Sequence, residues 1–164
     1  MTTTARFNLE IIVGKASVAL IEEETAPDAE ERAYSLSTDG RSFGTVNLLS
    51  YYRPHLAFHL PIVLLWGGFR LYYFDLRTPA IKCRHHDDEL RAVYRLPRGW
   101  CIVGEISIVT VDDLAERPTS EYHHGEVIME SWWVGETLWV EDFEKRRFSF
   151  EFKESGFSRA PEDH

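Results

Sequence analysis

The stretch "RRFSFEFKE" (Arg146 to Glu154) constrains the chain more than any other, because it alternates apolar and polar residues without a break. Successive side chains on a strand point to opposite faces, so Phe148, Phe150 and Phe152 share one face. "EISIVTVDD" (Glu105 to Asp113) repeats the period of two. Turn signals separate such runs: "TDGRSFG", "WGG", "LPRGW", "VGET" and "ESGF". Five Trp, seven Tyr and ten Phe add to the strand preference. Only the acidic "APDAEERA" and "TVNLLSYY" read as short helices. The expectation is an all-β chain, an antiparallel meander of hairpins with at most one or two short helices.

The chain also resembles itself. An offset of 37 residues places Leu65, Trp66 and Gly67 on Ile102, Val103 and Gly104. The same offset sets Phe74 and Asp75 on Val111 and Asp112, His86 on His123, and Glu89 on Glu126. A further step carries Ile102 onto Trp139. At an offset of 90, "IIVGKASVALIEE" (from Ile11) lies on "CIVGEISIVTVDD" (from Cys101). Unit starts are therefore expected near Ile12, Leu65, Ile102 and Trp139. A length of 164 residues suits one domain over 1–164, with 1–6 and 155–164 as flexible tails.

A unit such as "GWCIVGEISIVTVDDLAERPTSEYHHGEVI" resembles one blade of a β-propeller of the WD40 or quinoprotein type. The resemblance rests on the order of strands and turns, since no Trp-Asp dipeptide ends the blade. It implies about four blade-like units of short antiparallel strands. A meander wrapped into a barrel or sandwich fits the same pattern.

Charge narrows the partners. The net charge of −9 disfavours nucleic acid, which needs clustered Lys and Arg, and suits a basic protein partner. Cys83 and Cys101 show no paired spacing, as in a reducing compartment with half-buried thiols. The N-terminus lacks an apolar signal, and the apolar stretch from His55 to Phe74 carries Arg70, Pro61 and two His. No membrane span is expected, and a cytoplasmic location is.

The candidate chemistry begins with the pairs His85-His86 and His123-His124, each followed by carboxylates, and with His55 and His59. Imidazole and carboxylate suit a divalent transition metal, and the 37-residue offset selects His86 and His123, with Glu89 and Glu126. The alternative role is structural: a His before a turn bonds backbone or a nearby acid and fixes the crossing. "GRSFG" (Gly40 to Gly44) matches the nucleophile-elbow pattern at Ser42, with Asp112 and His123 or His124 following. It reads more simply as a hairpin loop. Asp142, Glu151 and Lys153 loosely resemble a magnesium nuclease constellation, or an ordinary charged strand.

Neighbouring Trp132 and Trp133 must face opposite sides of a strand, so one is exposed or covered by a partner. With Glu130, Glu136 and Trp139 they form the expected partner-binding surface in "MESWWVGETLW". Trp66 and Trp100 read as core or interface. The function expected is a non-enzymatic, cytoplasmic, protein-binding module of bacterial type without cofactor. Its most concrete form is an acidic immunity protein that neutralises a toxin. A metal-binding protein or metal-dependent enzyme centred on His86 and His123 is the alternative, and a self-associating structural subunit the third. Oligomeric state does not follow from the sequence.

Overall fold

The computed structural model describes residues 7–13, 15–78, 80–115, 117–153 and 156–159. Contacts divide the chain into two compact units, Met1–His85 and His86–His164. Each unit holds two four-stranded antiparallel sheets.

The first sheet of the first unit contains β1 (Asn8–Val13), β2 (Ala16–Glu22), β3 (Glu31–Thr38) and β4 (Arg41–Leu49). The second contains β5 (His55–His59), β6 (Ile62–Gly67), β7 (Arg70–Asp75) and β8 (Ile81–His85). The third and fourth sheets make up the second unit. They are β9 (Leu90–Arg95), β10 (Trp100–Gly104), β11 (Ser107–Val111) and β12 (Pro118–His123), then β13 (Ile128–Val134), β14 (Thr137–Asp142), β15 (Arg147–Lys153) and β16 (Gly156–Arg159). In every sheet the strands pair in chain order, and both edges stay open. Among the described residues the sheets are therefore open meanders, and no barrel closes.

Side-chain alternation builds the cores. In the first unit Val18 and Leu20, Tyr34 and Leu36, Val46 and Leu48 come from alternating positions of three strands and pack with Val63, Leu65 and Phe74. In the second, Leu138, Val140, Phe148 and Phe150 pack with Cys101, Val103, Ile108 and Ile128. Full burial of each such side chain is worth about 1.5–3 kcal/mol. β6, β10 and β11 are buried along their whole length. This explains why their sequences run "IVLLW" and "CIV" without polar partners.

No helix forms among the described residues. "APDAEERA" instead makes a turn, with Ala29 N–H donating to Ala26 O at 3.0 Å, and then enters β3. Tyr34 and Leu36 decide this: their period of two buries both against β2 and β4, which outweighs local helix preference. "TVNLLSYY" likewise runs into β4, where Val46 and Leu48 are buried. "TDGR" forms a two-residue hairpin with Asp39 and Gly40 at φ 48° and 75°, the left-handed pair that matches strand twist. Of the expected tails, 156–159 form β16 on β15, while 1–6, 155 and 160–164 lie outside the described residues.

The repeat is real between the second and third sheets but starts in a different phase. Gly67 and Gly104 end the equivalent strands β6 and β10, as the offset of 37 requires. The sheets begin one strand earlier, at His55, Leu90 and Ile128, so Leu65, Ile102 and Trp139 fall inside second strands. The offset of 90 lays the hairpin β1–β2 on β10–β11, a first hairpin on a second.

Candidate functional site

Each passage from one sheet to the next lays a side chain on the following β-hairpin. In the first unit the Tyr52 ring sits over Gly68, in the β6–β7 turn. In the second, the buried Asp88 carboxylate accepts from Ile106 N–H at 2.8 Å and from the Ser107 hydroxyl at 3.0 Å, in the β10–β11 turn. A Cβ on Gly104 would collide with that carboxylate, so a larger residue there must displace it. The next passage supplies His124, whose Nε2 meets Asp142 Oδ2 at 3.1 Å, at the start of the β14–β15 turn.

His124 and Asp142 are buried polar groups of the second unit, and each meets more than one partner. The Tyr122 hydroxyl meets His124 Nδ1 at 3.0 Å, and Arg146 donates to Asp142 from its backbone N–H at 3.0 Å and from Nε at 2.9 Å. Burial pushes the Asp142 carboxyl up, but the bonds from His124 and Arg146 outweigh it and hold it below the usual range. Beside it, Lys145 and Arg147 hold Glu141 low as well. The arrangement fixes a crossing and a turn.

The register corrects the pairing of the histidines. His85 faces Arg70, the first residue of β7, and His123 faces Ser107, the first of β11. Thus His85 corresponds to His123, and His86 to His124. The connection is equally long in both sheets, since Phe74 faces Ile81 and Val111 faces Pro118; a β-bulge at Thr119 inside β12 then adds one residue and breaks the offset of 37. Among the described residues no three His, Cys, Asp or Glu side chains gather as metal ligands. His123 is exposed and pairs with Glu121 at 3.1 Å; His86 is half-buried. Glu89 pairs with Arg91 at 3.3 Å, and Glu126 is half-buried. His55 stacks on Trp66 at 5.4 Å, and burial pushes its pKa down. His59 ends the same strand.

The other catalytic patterns do not assemble locally. Ser42 is exposed on β4 opposite Ser37, beside a β-bulge at Phe43 and not at a strand-to-helix elbow. Asp142 is fully buried at one end of its sheet, whereas Glu151 and Lys153 are exposed toward the other. Cys83 and Cys101 are free; the first is exposed and the second fully buried, where the apolar surroundings raise its pKa.

β13 splits the tryptophans as alternation demands. Trp133 pairs with core Leu138 and packs against Phe152 at 5.0 Å. Trp132 lies on the other face, opposite Trp139 across the strands and under the Arg147 guanidinium at 5.7 Å. All three tryptophans are half-buried, Glu130 and Glu136 are exposed, and Val134 is 59% exposed.

A second feature comes from residues that no local motif marks. An open cleft of about 590 Å³ lies between the two sheets of the second unit, with Tyr94, Leu96, Trp133 and Phe152 in its walls. Arg95, Arg98, Lys153 and Glu136 supply its charge. The signal that does exist in the sequence concerns the passages: Asp88 precedes Ile106, and His124 precedes Asp142, by the same 18 residues.

No protein-family model and no curated protein matches the chain. Solved structures do. BamB from Moraxella catarrhalis superposes with a TM-score of 0.59 and 16% identity over 85% of this chain and 44% of that one. HIRA gives 0.53 and 8% over 96% and 54%, and the AfRom2 CNH domain 0.52 and 8% over 97% and 64%. The fold is propeller-like. The four sheets correspond to blades, in line with the resemblance of the sequence to blade repeats. The chain spans less than two thirds of the length of each of these three structures. Among the described residues no helix is long and apolar enough to cross a membrane.

Proposed function

We propose that the chain is a non-enzymatic protein-binding module that engages a basic partner through the outer face of its fourth blade. The observation that carries this reading is the cross-strand pair Trp132–Trp139 on the face turned away from the Phe148 and Phe150 core. Exposed Glu130 and Glu151 flank the pair on the same face, since both alternate in phase with the tryptophans. Large aromatics within a polar rim are the usual composition of an interface hot spot. The acidic surplus supports a basic partner. Residues 1–85 hold nine acidic and nine basic residues, whereas 86–164 hold eighteen and nine, so the whole net charge of −9 resides in the second unit.

An immunity-type role is the concrete form of this proposal. A protein that neutralises a basic toxin acts by covering it and needs no chemistry of its own. The test is affinity capture from the native cell with the wild-type chain and with Trp132→Ala plus Trp139→Ala. A stoichiometric basic protein should be retained by the wild type, released as salt rises, and bound about thirtyfold more weakly by the double variant. Retention that ignores both salt and the two tryptophans would overturn the reading.

A further inference from the structure

The cleft between the third and fourth blades carries a charge opposite to that of the unit that contains it. Its floor is rigid and aromatic. The Tyr94 hydroxyl donates to Ser131 O at 2.9 Å, its ring meets Trp133 edge-on at 5.8 Å, and Trp133 leans on Phe152 at 5.0 Å. Arg95 is already engaged: Asp113 holds it at 2.7 Å, Gly99 O accepts from it at 3.0 Å, and its guanidinium lies 5.2 Å from the Trp100 ring. Arg98 and Lys153 are different. Both are exposed on the cleft wall, and no carboxylate among the described residues pairs with either.

The cleft also has length. Leu96, Arg98, Phe152 and Lys153 form the wall shared with a second chamber of about 180 Å³ beside Thr110 and Thr119. Asp112 and Asp113 line that second chamber too, where Asp113 faces Arg95 and Gly99 N–H and Asp112 faces Arg117 N–H. The free positive charge therefore sits at the shared wall, which Phe152 also forms.

From this geometry we infer that the cleft binds an extended acidic peptide segment. One apolar side chain inserts between Trp133, Leu96 and Phe152, and flanking carboxylates meet Arg98 and Lys153. Charge complementarity selects the partner, since Arg98 and Lys153 outnumber Glu136, the one acid in the lining of the larger chamber. Two chambers on either side of one wall suit a chain laid across it, and the preformed aromatic floor requires little ordering on binding. This site uses the opposite face of β13 from Trp132, so it stands or falls apart from the proposed docking of a basic protein.

The experiment titrates the full chain with a synthetic peptide carrying one phenylalanine between glutamate pairs, while the indole N–H resonance of Trp133 is followed by NMR. A Trp133→Phe variant assigns that resonance. The acidic peptide should shift it to saturation, and Arg98→Glu plus Lys153→Glu should weaken binding about tenfold or more. Raising the ionic strength should weaken binding in the wild type and strengthen it in the charge-reversed variant, where screening relieves repulsion. The same peptide with lysines in place of glutamates should leave the resonance where it was. Equal binding of the basic peptide, equal binding of phenylacetate alone, or no effect of the two charge reversals would each overturn the assignment.

Discussion

The two units solve the same construction problem with different chemistry. Both must pin the passage between sheets onto the turn of the next blade. The first unit does it with an aromatic ring, Tyr52 over Gly68, in a half-chain of balanced charge. The second does it with buried ionisable groups, Asp88 in one passage and the His124–Asp142–Arg146 cluster in the other, in the half that holds the entire net charge. An apolar lid responds weakly to pH and salt, while a buried carboxylate must keep every partner. The same propeller-like blade thus tolerates either device, and the difference should appear as a difference in sensitivity.

The largest effect is expected at Asp142. Its side chain has no exposure, and it meets His124, Arg146 and a backbone N–H at once. Asp142→Ala leaves His124 and the turn without their common acceptor and should cost about 3–5 kcal/mol. Hydrogen exchange should show β13–β16 losing protection while β1–β4 keep theirs; equal loss in both units would show that the cluster is not local to its blade.

Acidification sharpens the same comparison without mutation. Asp142 and Glu141 in the second unit, and Asp75 with its Arg77 partner in the first, have folded-state pKa values held below their ordinary ones. Such groups contribute stability that is complete above their unfolded values, at about pH 4, and is lost as pH falls through the depressed folded values. Exchange measured at stepwise lower pH should therefore show the second unit opening first. If the first unit opens first, the charged cluster is not the more sensitive device.

The sequence discloses these devices unevenly. Alternation in "RRFSFEFKE" and the Asp39-Gly40 turn specify strands and hairpins because their causes are local: side-chain direction and backbone handedness. Blade identity is also visible, since Gly67 and Gly104 occupy matching turns. Blade phase is not, because a period of two is the same for first and second hairpins, and β6 and β10 carry no alternation to mark a face. The histidines illustrate the limit: a single bulge residue in β12 turned the equivalence of His85 and His123 into an apparent match of His86 with His123. The cleft is less legible still. Tyr94, Trp133 and Phe152 come from three strands of two sheets, and only packing brings them together.

Two glycines compare the aromatic and the charged devices at smaller amplitude. Gly104→Ala puts a Cβ into the Asp88 carboxylate, which must then release Ile106 N–H or the Ser107 hydroxyl; the cost should be about 2–3 kcal/mol. Gly68→Ala meets the far edge of the Tyr52 ring, which can swing aside, and adds the strain of φ +60°. Its cost should be about 1–2 kcal/mol. Urea titration of both variants checks the order, and a larger loss at Gly68 would make the ring the stiffer clamp.

The smallest effect tests whether surface charge, as opposed to buried charge, distinguishes the second unit. Arg91 lies between Glu89 at 3.3 Å and Glu105 at 3.2 Å and is 39% exposed. Exposed pairs are worth about 0–1 kcal/mol, so Arg91→Ala should cost about 0.5 kcal/mol at physiological salt. In a half already short of cations the loss leaves two carboxylates facing each other, and the penalty should grow as salt is lowered and screening weakens. Denaturation midpoints of wild type and variant across ionic strength measure this directly. A penalty that stays flat would mean that the charge excess of the second unit is dispersed over its surface, leaving the buried carboxylates alone to set its response to the medium.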